Sequence, residues 1–136
     1  MKSNLPLTTL SLLLVLLGTL HLADDIVRGI SPAGFDDMIP VAIFVVLLYG
    51  TIALAERRSG MVIMLVGGLG GLAMPLLHLR SAHIREHAAS SGGFFFIWTL
   101  LALGTVGVVV TMLAAGALWN WRLRTISAPE SESIRR

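Results

Sequence analysis

The sequence predicts an all-α polytopic membrane protein, a four-helix up-down bundle in which every helix crosses the bilayer. Two observations predict it. Of the 136 residues, 55% are hydrophobic and only 13% are charged, which is the composition of an integral membrane protein. The charged residues also stand in short clusters, and between them lie four long windows without Asp, Glu, Lys or Arg: residues 3–23, 38–55, 59–79 and 94–121.

The first two windows predict the first two helices. The first window follows Lys2 as a secretory signal would. Its apolar run is longer than a usual signal core, and His21-Leu22-Ala23 is a poor cleavage site, so we expect a retained helix. The second window is the shortest of the four, at a length close to the ~20 helical residues that cross a bilayer. Gly29 and Gly34 mark the turn before it, and Pro40 suits its first helical turn.

The third and fourth windows predict two helices that approach closely. The connection at residues 56–60 is so short that the second and third helices must be antiparallel neighbours. Small residues let membrane helices pack backbone to backbone, and both windows carry a stripe of them. We expect the stripes to face each other or the bundle centre, and to turn His78 inward. They consist of Gly67 and Gly71 in the third window, and of Gly104, Gly107, Thr111 and Ala114 or Ala115 in the fourth.

The distribution of Lys and Arg predicts the topology. Short cytoplasmic loops carry the excess of these residues, so both termini should be cytoplasmic and the protein should lie in a plasma membrane, such as the bacterial inner membrane. Residues 1–121 then form the bundle and residues 122–136 a polar cytoplasmic tail. The Lys and Arg residues on the predicted cytoplasmic side are Lys2, Arg57, Arg58, Arg122, Arg124, Arg135 and Arg136. Those on the predicted outer side are Arg28, Arg80 and Arg85.

Composition also limits the function. The net charge of +2 follows from membrane orientation, so the lipid bilayer is the expected partner and nucleic acid is not. The chain has no cysteine, which excludes thiolate nucleophiles and Cys-zinc sites. Because few residues remain outside the windows, there is no room for a soluble catalytic domain. We therefore do not expect an enzyme. We expect the chain to associate with other membrane subunits.

All four histidines fall at the same ends of two windows, on the predicted outer side with most of the acids. Ionisable residues at membrane depth are costly and mark a site by default. His21 lies within one helical turn of Asp24 and Asp25, and a carboxylate beside an imidazole is typical of metal-binding and proton-handling histidines. The competing interpretation is an interfacial helix end in which Asp24 pairs with Arg28.

His83 and His87 belong to a short pattern, His83-Ile84-Arg85-Glu86-His87, which matches the H-x-x-E-H of some zinc proteases. Those enzymes need a further carboxylate ligand downstream. Glu130 and Glu132 are the only later glutamates, and the predicted topology places them across the membrane. The pattern therefore indicates a solvated outer helix end rather than a protease.

Three functional hypotheses remain. The chain is an accessory or scaffolding membrane protein without chemistry of its own, or it holds a metal ion or proton, or it binds a b-type haem between His21 and His78. The haem hypothesis follows because those two residues lie at similar depth on helices that run in the same direction. Imidazole with carboxylate suits divalent zinc, iron, manganese or copper. The candidate metal ligands are His21, Asp24, Asp25, His78, His83 and His87.

Overall fold

The computed structural model describes residues 4–31, 34–35, 38–79, 89 and 91–127, and in these ranges the regular structure is helical, without strands. The elements are α1 (Leu5–Val27), α2 (Met38–Ile52), α3 (Arg58–Leu79) and α4 (Gly93–Ser127). Helices α1, α3 and α4 are long and apolar enough to cross a membrane. The predicted all-α four-helix bundle is confirmed.

Each helix runs antiparallel to the next. Asn4, before α1, lies 3.5 Å from the carbonyl oxygen of Ala55, after α2. His21 and His78, both near the ends of their helices, are in ring contact, so α1 and α3 run in parallel. We call the end where α1 and α3 finish the histidine end. The opposite end, where α3 begins and α4 finishes, carries Arg57, Arg58, Arg122 and Arg124, and we call it the arginine end.

The most extensive helix contact joins α3 to α4, and glycine makes it possible. A Cβ atom on Gly107 would meet the backbone nitrogen of Leu72 and lie 2.7 Å from the carbonyl oxygen of Gly68. A Cβ atom on Gly104 would lie 2.7 Å from Cγ of Pro75. The two backbones therefore touch, and this contact fixes the register in which α3 and α4 place their side chains.

The sequence stripe on α3 needs one correction. Gly71 does face α4, where an added Cβ would lie 3.2 Å from the carbonyl oxygen of Leu103, but Gly67 faces Leu47 of α2 instead. Its place in the α4 contact is taken by Gly68, next to Thr111. Consecutive helical residues point about 100° apart, so the adjacent glycines Gly67 and Gly68 contact two different helices, α2 and α4.

Helix α2 is the least embedded element. Its 15 residues span about 22 Å, which is less than the ~30 Å of a hydrocarbon core. The crossing predicted for it stays a prediction. It packs on α1 and α3 through Phe44 against Gly18 and through Leu47 against Gly67, and most of its other side chains are exposed.

Helix α4 is longer than its apolar window. It continues from Trp121 through Ser127, because residues 122–127 include no Gly or Pro to end it. The first residues of the predicted polar tail are thus helical, and residues 128–136 lie outside the described ranges.

The bundle is apolar inside and outside. Its outward faces carry large apolar side chains that are more than half exposed, among them Leu16, Val45, Val66 and Met112. A helix that is hydrophobic on every face belongs in a membrane or a large core, which agrees with a membrane protein. The core is formed by Leu7, Leu14, Leu17, Leu47, Met64, Leu103, Val110 and Ala114.

Candidate metal centre

Three ionisable side chains converge at the histidine end. His21 and Asp25 lie one turn apart near the end of α1, and His78 lies near the end of α3. One ligand atom from each of the three lies within 4.8 Å of the other two. The parallel course of α1 and α3 and the close helix packing beneath them bring the residues to the same depth.

The carboxylate of Asp25 stands between the two imidazoles. Its Oδ2 lies 3.9 Å from Nε2 of His21 and 3.9 Å from Nε2 of His78. These distances exceed a hydrogen bond, whose N···O separation is about 2.7–3.2 Å. The three groups therefore face one another across a small gap rather than binding one another directly.

Hydrogen bonds assign the tautomer of His21. Its Nδ1 lies 3.1 Å from Oγ1 of Thr99, and that hydroxyl donates its single proton to the carbonyl oxygens of Phe95 and Phe96, each at 3.0 Å. The hydroxyl oxygen must then accept, so the proton is on Nδ1 of His21. In a neutral imidazole this leaves a lone pair on Nε2. Nε2 is buried and makes no hydrogen bond to any residue in the described ranges.

His78 has the same tautomer for a simpler reason. Its Nδ1 lies 3.0 Å from the backbone carbonyl oxygen of Met74. A carbonyl can only accept, so Nδ1 carries a proton, and in the neutral imidazole Nε2 carries a lone pair. Two imidazole lone pairs and one carboxylate thus point into a common gap.

The inner wall of the gap is Phe96, whose side chain is 1% exposed. Its ring stacks on His21 with centroids 5.3 Å apart and meets His78 edge to face at 5.7 Å. The histidine side chains differ in access, since that of His21 is 3% exposed and that of His78 is 22% exposed. The site is closed towards the core and open on the side of His78.

Asp24, the neighbour of Asp25, has a different role. Its Oδ2 accepts a hydrogen bond from Nε of Arg28 at 2.8 Å. The pair spans one turn of α1, as the interfacial interpretation of the sequence expected. The interfacial pairing is thus observed for Asp24, which lies outside the cluster, whereas Asp25 is the acid that faces the two histidines.

The sequence identified all three members of the cluster, but it also proposed residues whose role stays a prediction. His83 and His87 lie outside the described ranges. Thr99 and Phe96, which orient and enclose the histidines, were not identified, because a threonine and a phenylalanine in an apolar helix are typical of ordinary packing. Their one shared signal is position, since both lie in the first turns of α4, at the histidine end.

A haem does not fit between these histidines. Their rings are in direct edge contact, with centroids 5.1 Å apart and planes at 72°. A b-type haem held by two axial histidines lies between their rings, so the rings would have to separate and Phe96 would have to move. The arrangement favours a single small cation over a macrocycle.

Comparison with known protein families, with curated proteins and with solved structures gives no match for this chain. Two imidazoles and one carboxylate each place a ligand atom at one small gap, and imidazole with carboxylate is a donor set that suits divalent transition metals.

Proposed function

We propose that this chain is a small integral membrane protein that binds one divalent transition-metal ion through His21, Asp25 and His78. The observation that carries the proposal is the convergence of the three side chains, each of which places a ligand atom within 4.8 Å of the other two. Because both Nδ1 atoms form hydrogen bonds elsewhere, Nε2 of each ring is the nitrogen that faces the Asp25 carboxylate, and a cation between them would contact all three groups.

The hydrogen bonds behind the cluster support the same assignment. A metal-binding histidine almost always donates its other ring N–H to a carbonyl, carboxylate or similar acceptor, which fixes the ring and its tautomer. Here His21 donates its Nδ1–H to Oγ1 of Thr99, and His78 donates its Nδ1–H to the carbonyl oxygen of Met74.

The ligand set narrows the metal. Two histidines with one carboxylate hold zinc in metalloenzymes and Fe(II) in non-haem oxygenases. Zn–N bonds are ~2.0–2.1 Å, so ligand atoms around one tetrahedral ion stand about 3.4 Å apart. The gap must therefore contract on binding, since Oδ2 of Asp25 lies 3.9 Å from each Nε2. Three protein ligands leave a position open, for which His83 and His87 remain candidates.

We infer further that the protein has an accessory role, in which the bilayer and other membrane subunits are its partners. The spans offer few polar side chains that would line a transport path. The positive-inside rule supports a plasma-membrane topology with both termini cytoplasmic. Reporter fusions after Arg58 and after Arg136 should then read as cytoplasmic, and one at Gly34 as external. An external signal at Arg58 would contradict this topology.

The metal site is tested by titration of the purified protein. The full chain in detergent, stripped with a chelator, should bind Zn²⁺ with one ion per chain by calorimetry. Replacing His21 or His78 with Ala should weaken binding at least about a hundredfold, since each removes a ligand. Affinity should also fall as the pH is lowered, because protons compete for the same Nε2 lone pairs.

The adjacent acids supply a matched control. Asp25→Asn should weaken Zn²⁺ binding strongly, whereas Asp24→Asn, with the same change of charge one residue away, should alter it by about twofold or less, since Asp24 faces Arg28. Equal losses in the two variants would overturn the assignment. So would a His83→Ala/His87→Ala double variant that loses Zn²⁺ while His78→Ala retains it, or a haem absorption band in the purified protein.

A further inference from the structure

The arginine end holds a cavity of about 670 Å³ between the first turns of α3 and the last turns of α4. Two arginines, Arg58 and Arg122, stand at its mouth, together with Trp119 and Trp121. The rest of its lining is mostly apolar and includes Val62 and Leu118. The cavity thus has a cationic part, Arg58 and Arg122, which we call its rim, and an apolar part, with Val62 and Leu118, which we call its floor.

The arginines are available to an external anion. Within the described ranges, neither Arg58 nor Arg122 forms an ion pair with a carboxylate. The guanidinium of Arg58 is held over the ring of Trp121, with Cζ 5.5 Å from the centroid. This cation–π contact orients the group without neutralising it. Guanidinium groups bind phosphate oxygens with two parallel hydrogen bonds.

The level of the cavity in the membrane indicates whether its ligand is a free phosphate ion or a phospholipid. Tryptophan is enriched where the hydrocarbon meets the headgroups, so Trp119 and Trp121 place the arginines at headgroup level. Val62 lies one turn further into α3 than Arg58, on the side of the hydrocarbon. A free phosphate ion would use only the rim, whereas a phospholipid presents a phosphate to the arginines and acyl chains to the floor.

We propose that this cavity is a binding site for an anionic phospholipid, with Arg58 and Arg122 holding the headgroup phosphate. Basic pockets between transmembrane helices are a known way to hold acidic lipids. The site is independent of the metal centre, because Arg58 and His78 stand about 30 Å apart along α3.

The test measures lipid selectivity near the two tryptophans. A Trp98→Phe background removes the tryptophan at the histidine end, so that fluorescence reports Trp119 and Trp121. The protein is placed in phosphatidylcholine nanodiscs with rising fractions of brominated phosphatidylglycerol or brominated phosphatidylcholine. We expect brominated phosphatidylglycerol to quench the tryptophan fluorescence at a lipid fraction about tenfold lower than brominated phosphatidylcholine does, because two arginines attract the anionic headgroup.

Two double variants separate a site from a general charge effect. Arg58→Gln/Arg122→Gln should abolish the tenfold preference. Arg57→Gln/Arg124→Gln removes the same charge from the same end, but these residues do not line the cavity, so most of the preference should remain. Equal losses would overturn the proposal, as would a preference that survives in the first variant. A monodisperse elution profile for both variants in detergent verifies folding.

Inorganic phosphate provides the last arm of the test. Added in excess at constant ionic strength, it should leave quenching by the anionic lipid nearly unchanged, because it makes no contact with the apolar floor. Complete displacement by phosphate would show a site for the phosphate group alone and would overturn the assignment to a lipid.

Discussion

The two ends of this bundle use polar residues in opposite ways. At the histidine end, His21, Asp25 and His78 are largely withdrawn from the surface and point towards one another. At the arginine end, Arg57, Arg58, Arg122 and Arg124 are all exposed. A buried charge must be compensated by a partner inside the protein, whereas an exposed arginine at headgroup level meets water and lipid phosphate.

The difference shows which polar residues of a membrane helix are informative. The arginines can be explained by topology alone, and a specific role for two of them follows only from the cavity that they line. The histidine cluster has no such general explanation, because its protons and lone pairs are arranged by Thr99 and the Met74 carbonyl. Orientation by a second group, rather than the presence of a charge, distinguishes a candidate site from an anchor.

The contact that holds both ends in register is the glycine interface of α3 and α4, and breaking it should have the largest effect. Gly107→Leu places a side chain where the backbone of Leu72 lies, so the helices must separate. We expect loss of most of the monodisperse protein in detergent, and of Zn²⁺ binding in the remainder. Gly116→Leu is the control, since nothing lies within 4 Å of its added Cβ. Equal yields would refute the interface.

Much of this architecture was predictable from hydrophobicity and small-residue spacing. Helices α1, α3 and α4 follow from their apolar windows, and the inward direction of His78 follows from glycine on one face. The sequence did not predict that Gly68 rather than Gly67 faces α4. The two residues are both glycine, and a shift of one residue along α3 turns the contact from one neighbouring helix to another. The choice between Asp24 and Asp25 was also open, since either lies within a turn of His21 and only the packed structure shows which one faces α3.

The orientation of His21 offers a second test of the contrast between the two ends. The expected change in Zn²⁺ affinity is intermediate in size. Thr99→Val keeps the volume of the side chain but removes the oxygen that accepts the Nδ1 proton. We expect Zn²⁺ affinity to fall about 10–100-fold, the usual cost of losing a group that positions a metal ligand. The measurement is calorimetric titration at several pH values.

Thr99→Ser is the matched control, because it keeps the hydroxyl and should recover most of the affinity. If Thr99→Val and Thr99→Ser bind Zn²⁺ alike, the hydroxyl does not position His21. A change in thermal stability without a change in affinity would likewise limit Thr99 to a structural role.

The smallest predicted effect concerns Ser11, a buried polar residue between the two ends. It lies on the same face of α1 as His21 and is 0% exposed, and its Oγ has no hydrogen-bond partner among the described residues. If orientation by a partner distinguishes a site, this hydroxyl should contribute nothing to function. Ser11→Ala removes a buried group without a partner, so stability should stay the same or rise by about 1 kcal/mol or less. The measurement is thermal unfolding in detergent together with Zn²⁺ titration, and His21→Ala is the contrast, because it should lose the metal. A clear loss of stability or of metal affinity in Ser11→Ala would show that burial alone, without an orienting partner, already marks a functional polar group in this bundle.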